Sequence, residues 1–465
     1  MRSLLILLAL AISGLAWGDA EVPNSSVGKV FATWFAAYNS SNRQQLEEFK
    51  RAYATQWPVE GMLDWRRQTG GFKLLRVEHD DALALTVLVQ EVESDTALRI
   101  SYRLESEHPP LTLTTDVRTV ELPPDLSVAR LSQADAIEAV VAKADGEAKH
   151  DGFSGAVLID RGGTLLMQKA WGYADRERRI PNAPDTQFRL GSMNKMFTAI
   201  AVLQLVEAGK LSLDGYLGDY ITDYPNRDVA TRVTVRHLLT HTGGTGDIFV
   251  PEYMQNRESV KEHADFVKLL GARGLDQEPG ASFRYSNYGF VLLGALIEKV
   301  SGVSYYEYVD SHIFKPCGMR STASLPESVA VPKRAVGYMK RDEQWVSNVD
   351  TLPYRGMAAG GGYSTVGDLQ RFARALLSGK LLSKQLLTEA TTRFYKDELF
   401  GYGYGFQVVG RDNLTYYGHG GGAPGMNGDL YVFPQLDVII VVLSNFDPPA
   451  ADRLANFYAN RMPAR

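Results

Sequence analysis

The chain has 465 residues, 45% of them apolar, with 49 Lys and Arg against 54 Asp and Glu for a formal net charge of -5. Such a length calls for two or three domains around a large core, and a nearly balanced charge without basic tract or acidic tail gives no footing for nucleic acid as a partner. The single cysteine, Cys317, excludes any internal disulfide, so the fold rests on its apolar core.

The first residues, MRSLLILLALAISGLAWGDA, join a charged start at Arg2 to an apolar run from Leu4 to Trp17 and small residues suited to cleavage near Gly18 or Ala20. This is the pattern of an export leader over residues 1–18, which places the mature protein in a periplasm or outside the cell. The alternative is an uncleaved N-terminal membrane anchor, although the run falls short of the roughly 20 apolar residues that a span needs.

Helical spacing follows over 27–38, where Val27, Val30, Phe31, Trp34, Phe35 and Tyr38 share a face, and again over 41–54 with Leu46, Phe49 and Tyr53. Alternating Leu, Val, Thr and Tyr then predict strands at 71–78, 82–91, 96–106 and 111–120. Helices followed by a run of strands make a small α+β domain over 21–125, and the order resembles an NTF2-like cone. That resemblance is one of pattern and implies no ligand. "LPPD" at 122–125 reads as a linker.

A second domain spans 133–465. It opens with a helix at 132–148 and two strands, from Ser154 and from Thr164, joined at Arg161, Gly162 and Gly163. Its middle is helical, at 192–208, 259–273, 287–300, 304–314 and 367–378. Strands return at 404–409, 414–418, 429–433 and 437–444, and a helix at 450–461 ends the pattern. Strands at both ends of an α/β domain imply one antiparallel sheet built from its first and last parts, flanked by helices, with a separate helical lobe between. A cleft between two such lobes is a natural ligand site.

Within "FRLGSMNKMFTAIAVLQLVEAGK" (188–210), Lys195 stands three residues after Ser192 at the head of an apolar helix. The spacing alone means little, because Ser26 and Lys29 repeat it. What distinguishes Lys195 is the run Met196, Phe197, Ile200, Val202, Leu203, Leu205 and Val206, which implies burial on most sides. Positions three apart share a helix face. A buried ammonium loses its proton more readily, and an amine beside a hydroxyl can then accept the hydroxyl proton and activate the oxygen. A lysine that reaches out to the surface remains the alternative on spacing alone.

At these residues the chain resembles the serine β-lactamases and penicillin-binding proteins, in particular the class C branch with its related esterases and D-amino-acid peptidases. "FRLGSMNK" is similar to the nucleophile signature of that branch, "YSN" at 285–287 to its second motif, and "HGG" at 419–421, after "YYG", to its third. Similar stretches include "VRHLLTHTGG" from Val235, "YGYGF" from Tyr402 and "PGMNGDLYVFPQLDVIIVVLSN" from Pro424. The resemblance implies a β-lactamase-like fold with Ser192 as nucleophile and Lys195 as its proton acceptor. It further implies that Tyr285 shares a proton with serine and leaving group, and that Asn287 orients the lysine and the substrate amide. His419, Gly421 and Gly422 would line the substrate, with the N–H groups of Gly422 and Ser192 forming an oxyanion hole. His419 departs from the lysine usual in β-lactamases, which puts efficient β-lactam hydrolysis in question, not acyl transfer.

The implied activity is that of an exported serine hydrolase working through an acyl-enzyme, D,D-peptidase/carboxypeptidase-like or esterase-like, on peptides, amides or small esters. A class C-like β-lactamase is one alternative, and a non-catalytic cell-wall or ligand-binding protein is another. No cofactor or metal is called for, and the oligomeric state is left open. His237 and His241, four apart, have no third ligand in sequence to make a metal site. His79, His108, His150, His263 and His312 are scattered and read as surface or core residues, and Cys317 as a part-buried turn residue.

Overall fold

The computed structural model describes residues 20–106, 111–341, 344–396, 399–411 and 414–464; the leader expected over 1–18 and His108 lie outside them. Two units divide the chain, Met1–Val128 and Ala129–Arg465.

In the first unit, helix Ser26–Asn39 starts where the Ser25 side chain accepts the Gly28 N–H, and it buries Val27, Val30, Phe31, Trp34, Phe35 and Tyr38. Trp34 stacks on Tyr38 at 4.9 Å, and Tyr38 on Phe72 at 5.1 Å. Helix Arg43–Tyr53 follows, and then Val59–Thr69, which the sequence pattern does not announce. Pro58 and Gly61 read as turn residues; Pro58 is tolerated as the N-cap because a helix start needs no N–H there. Burial of Met62 and Leu63 against the sheet holds the helix in place. The strands Phe72–Asp80, Ala84–Glu91, Ala97–Leu104 and Leu113–Val120 form an antiparallel meander in chain order. Leu98, Ile100, Tyr102 and Leu104 point to the helices, as the period of two requires.

The second unit is built on an eight-stranded antiparallel sheet. Its order across the sheet is Tyr395–Lys396, Phe400–Tyr402, Gln407–Arg411, Leu414–Ala423, Met426–Phe433, Val438–Ser444, Gly155–Arg161 and Thr164–Trp171. Val438 pairs with Arg161 and Ser444 with Gly155, so the first and last parts of the domain do share one sheet. Both faces of the central strands are covered. Ile439, Val441 and Leu443 enter the core of the helical lobe, while Val438, Ile440 and Val442 meet the helices Gln133–Lys149 and Ala450–Arg461. Burying each such side chain contributes about 1.5–3 kcal/mol relative to exposure, which is why these strands read as unbroken apolar runs.

In the helical lobe, Asn194–Glu207 packs against Asn287–Ser301, and its Phe197 meets Phe314 and Phe372 edge-on at 5.0 and 4.9 Å. Several expected elements shift, and the strand expected at 429–433 starts earlier, at Met426. The helix expected at 259–273 is His263–Leu270. The strand expected at 404–409 is replaced by Phe400–Tyr402 and Gln407–Arg411 around a turn at Gly405, whose φ of +71° suits glycine and breaks a strand. The strand expected to end at 418 continues to Ala423, because its pairing with Met426–Phe433 runs through Ala423. No helix among the described residues is long and apolar enough to cross a membrane.

Candidate active site

Ser192 sits in a single tight helical turn, Gly191–Met193, that feeds directly into Asn194–Glu207. Gly191 makes this turn with φ +53°, and its Leu190 and Met193 neighbours are buried. Strand pairing with Gln407–Arg411 stops at Gly418, and the rest of Leu414–Ala423 closes on the serine turn. The approach is close enough that a Cβ on Gly421 would lie 1.9 Å from the Leu190 carbonyl oxygen. A Cβ on Gly191 would come within 3.1 Å of the Gly422 nitrogen, so the backbone at Gly422 passes beside the serine turn.

Lys195 is fully buried. Its Nζ lies 3.2 Å from Ser192 Oγ and donates to Asn287 Oδ1 at 2.8 Å and to the Ala359 carbonyl. Burial pulls its pKa from 10.5 down to about 7, against the opposing pull of the Asp247 carboxylate. A neutral amine has two N–H groups and one lone pair. Both carbonyl oxygens can only accept, so they take the N–H groups and leave the lone pair to the serine hydroxyl. Asn194 and Thr198 hold the adjoining carbonyls of Met357 (2.6 Å) and Ala358 (2.7 Å), which fixes the whole acceptor segment on the helix.

Tyr285 hydrogen-bonds with the Ser192 side chain, and its ring lies under Lys195 Nζ at 4.7 Å. Although 36% of its surface is open, burial of the phenol raises its pKa, so it holds its proton at neutral pH. Asn287 is the first residue of Asn287–Ser301, whose start is capped by Ser286 accepting the Gly289 N–H at 2.9 Å. This cap aims Asn287 at Lys195. Its Nδ2 donates to both oxygens of Asp247 at 3.2 Å.

His419 is 2% exposed, and both ring nitrogens are engaged inside the protein. Its Nδ1 donates to the Gly420 carbonyl at 2.6 Å, which leaves Nε2 to accept the Tyr402 hydroxyl at 3.0 Å. Burial lowers its pKa to about 3, and the positive charge of Lys195 when protonated acts in the same direction, so the ring is neutral. His237 and His241 serve separate caps: His237 Nδ1 accepts the Thr234 N–H at 3.3 Å and His241 Nδ1 the Ser286 N–H at 3.1 Å. Cys317 is partly buried, and burial pushes its thiol up to about 11.

The structure thus brings Ser192, Lys195, Tyr285 and Asn287 into one hydrogen-bonded group, with Gly421 and Gly422 at its edge and His419 behind Tyr402. Two contributors are not singled out by the motifs: Asp247 comes from an irregular loop, and the Ala359 group is a backbone carbonyl, whereas Tyr402 opens the family-like stretch "YGYGF" without a role assigned to it. Only "VRHLLTHTGG", six residues upstream of Asp247 at its His241, marks that loop as worth inspection.

A β-lactamase family profile, described as "Beta-lactamase", matches residues 135–462. The chain is 31% identical to "Penicillin-binding protein 4*" of Bacillus subtilis, over 64% of this chain and 69% of that protein. Among solved structures, a penicillin-binding protein of Bacillus halodurans superposes with TM-score 0.62 at 33% identity, over 68% of this chain and 98% of the other. A D-stereospecific amidohydrolase from a Streptomyces species gives TM-score 0.59 at 29% identity, over 68% and 96%. With the sheet, the helical lobe and the serine–lysine geometry in place, the chain belongs to the β-lactamase family, a β-lactamase-fold family of serine hydrolases that also includes penicillin-binding proteins.

Proposed function

We propose that the protein is an exported serine hydrolase that forms an acyl-enzyme on Ser192 and acts on esters and amides, including peptides, without needing a carboxylate on the substrate. The observation that carries this reading is the fully buried Lys195, whose Nζ lies 3.2 Å from Ser192 Oγ and whose pKa burial lowers to about 7, so that its neutral form is accessible near neutral pH. Lys195 takes the hydroxyl proton as Oγ attacks the carbonyl carbon, and the N–H groups of Ser192 and Gly422 receive the oxyanion. The protonated Tyr285 phenol, bonded to Ser192, passes a proton toward the leaving alkoxide or amine and is refilled from Lys195. Water then repeats the sequence on the acyl-enzyme.

Substrate choice follows from charge. A neutral His419, tied to Tyr402 and Gly420, supplies no cation for a terminal carboxylate or for the acid group of a β-lactam. This favours ester and amide chemistry over dedicated D,D-carboxypeptidase or β-lactamase activity, and the amidohydrolase neighbour is in keeping with it. Export rests on the leader-like residues 1–18, and cell fractionation with N-terminal sequencing checks it. The decisive experiment is hydrolysis of p-nitrophenyl esters and amino-acyl p-nitroanilides with intact-mass detection of the acyl-enzyme. The expected result is a transient adduct that maps to Ser192; turnover that survives Ser192→Ala sinks the proposal, and penicillin turnover faster than ester turnover reverses the charge reading.

A further inference from the structure

The side-chain amide of Asn287 has two ends of opposite character, and only one of them serves the chemistry. With Oδ1 toward Lys195, the lysine must spend an N–H on it; with Nδ2 toward Lys195, the amide would instead compete for the lone pair that Ser192 needs. What decides between them is the group on the far side. The Asp247 carboxylate can only accept, and both its oxygens lie 3.2 Å from Asn287 Nδ2. The Asp247 loop is itself pinned: the Arg273 guanidinium donates to the Asp247 carbonyl at 2.8 Å, and the Ser286 hydroxyl donates to the Gly246 carbonyl at 2.5 Å. Ser286 is also the cap of the helix that Asn287 begins, so loop and helix start are one unit.

We propose that Asp247 is a positioning residue for acyl transfer, which orients the Asn287 amide so that its oxygen faces Lys195 and the lysine lone pair is directed at Ser192. The proposal rests on the serine-hydrolase reading above. Asp247 touches no reacting atom; it acts through Asn287. It has a second, electrostatic effect, because its negative charge is the one that favours protonated Lys195. The other titratable groups facing the amine are Tyr285, which keeps its proton, and the buried neutral rings of His241 and His419. Of this set, Asp247 alone opposes the loss of the lysine proton.

The test measures Ser192 labelling by a fluorophosphonate, read by intact mass over pH 5 to 9, in the full chain and in Asp247→Asn and Asp247→Glu. Asp247→Asn keeps size but offers an N–H₂ as readily as an oxygen, so the Asn287 amide loses its instruction. The expected result is labelling slower by about tenfold or more, with the acid limb displaced downward by roughly half to one pH unit because a counter-charge is gone. Asp247→Glu, which keeps an acceptor-only group, is expected to recover part of the rate and the parent's acid limb. Parent-like labelling in Asp247→Asn overturns the proposal, and so does a slower rate with an unmoved acid limb, which is what mere loosening of the loop would give. An unlabelled parent overturns the serine-hydrolase reading first and this proposal with it.

Discussion

Two serine–lysine pairs in this chain have the same spacing and opposite fates. Ser26 and Lys29 lie on the first helix with both side chains exposed, whereas Lys195 is fully buried beside Ser192. Near Ser26 the lysine is solvated, and the serine that does structural work is its neighbour Ser25, which caps the helix. Around Lys195, water is replaced by Asn287 Oδ1, the Ala359 carbonyl and the Tyr285 ring. Helical spacing supplies proximity in both places; only at Lys195 does burial among a fixed set of acceptors bring the pKa of the amine down to about 7.

The largest effect that separates the pairs is expected from the serines. Ser192→Ala should lower ester turnover by about 10³-fold or more and abolish the adduct, while Ser26→Ala leaves both as they were; steady-state kinetics with intact mass reads this. Lys195→Met comes next. Turnover should fall by a similar factor, yet melting at pH 7 should move up, because a buried amine gives way to an apolar chain of similar length.

The sign follows from the lowered pKa of Lys195 in the folded protein. Between pH 10.5 and about 7 the unfolded chain binds a proton that the native protein does not, so stability rises with pH across this window. The full shift corresponds to at most roughly 5 kcal/mol, and denaturant unfolding at pH 7 and pH 10 should show the slope in the parent and lose it in Lys195→Met. The same ionisation predicts an acid limb near pH 7 in the turnover profile.

A smaller effect is expected from the strand that carries His419. In His419→Lys the longer chain places a cation near the cleft, and the preference for a succinyl over an acetyl ester should rise by about tenfold; an unchanged ratio of kcat/KM removes His419 from substrate recognition. The smallest effects lie on the first helix. Ser25→Ala should cost about 1 kcal/mol through the lost cap, and Ser26→Ala or Lys29→Ala no more than about 0.5 kcal/mol, measured by chemical denaturation.

Much of the fold is legible along the chain because its signals are local. The strands from Ser154 and Thr164 and those near the end of the chain read as parts of one antiparallel sheet, which the pairing of Val438–Ser444 with Gly155–Arg161 bears out. Helix Val59–Thr69 is not legible, since Pro58 and Gly61 argue for a turn and packing of Met62 and Leu63 overrides them. The break at Gly405 and the continuation of Leu414–Ala423 depend on which strand lies alongside, which local residues do not state.

For the site, sequence by itself determined the chemically distinctive groups: a serine, a lysine, a tyrosine and an asparagine in motifs whose residue types are needed for acyl transfer. Tertiary structure alone decided their states. The Ala359 carbonyl carries no side-chain signature, Asp247 is one acid among 54 acidic residues, and the neutrality of His419 comes from its burial beside Tyr402. The physical reason is that residue identity sets which protons a group can hold, whereas desolvation and the placement of acceptors, both products of packing between distant segments, set which it does hold at a given pH.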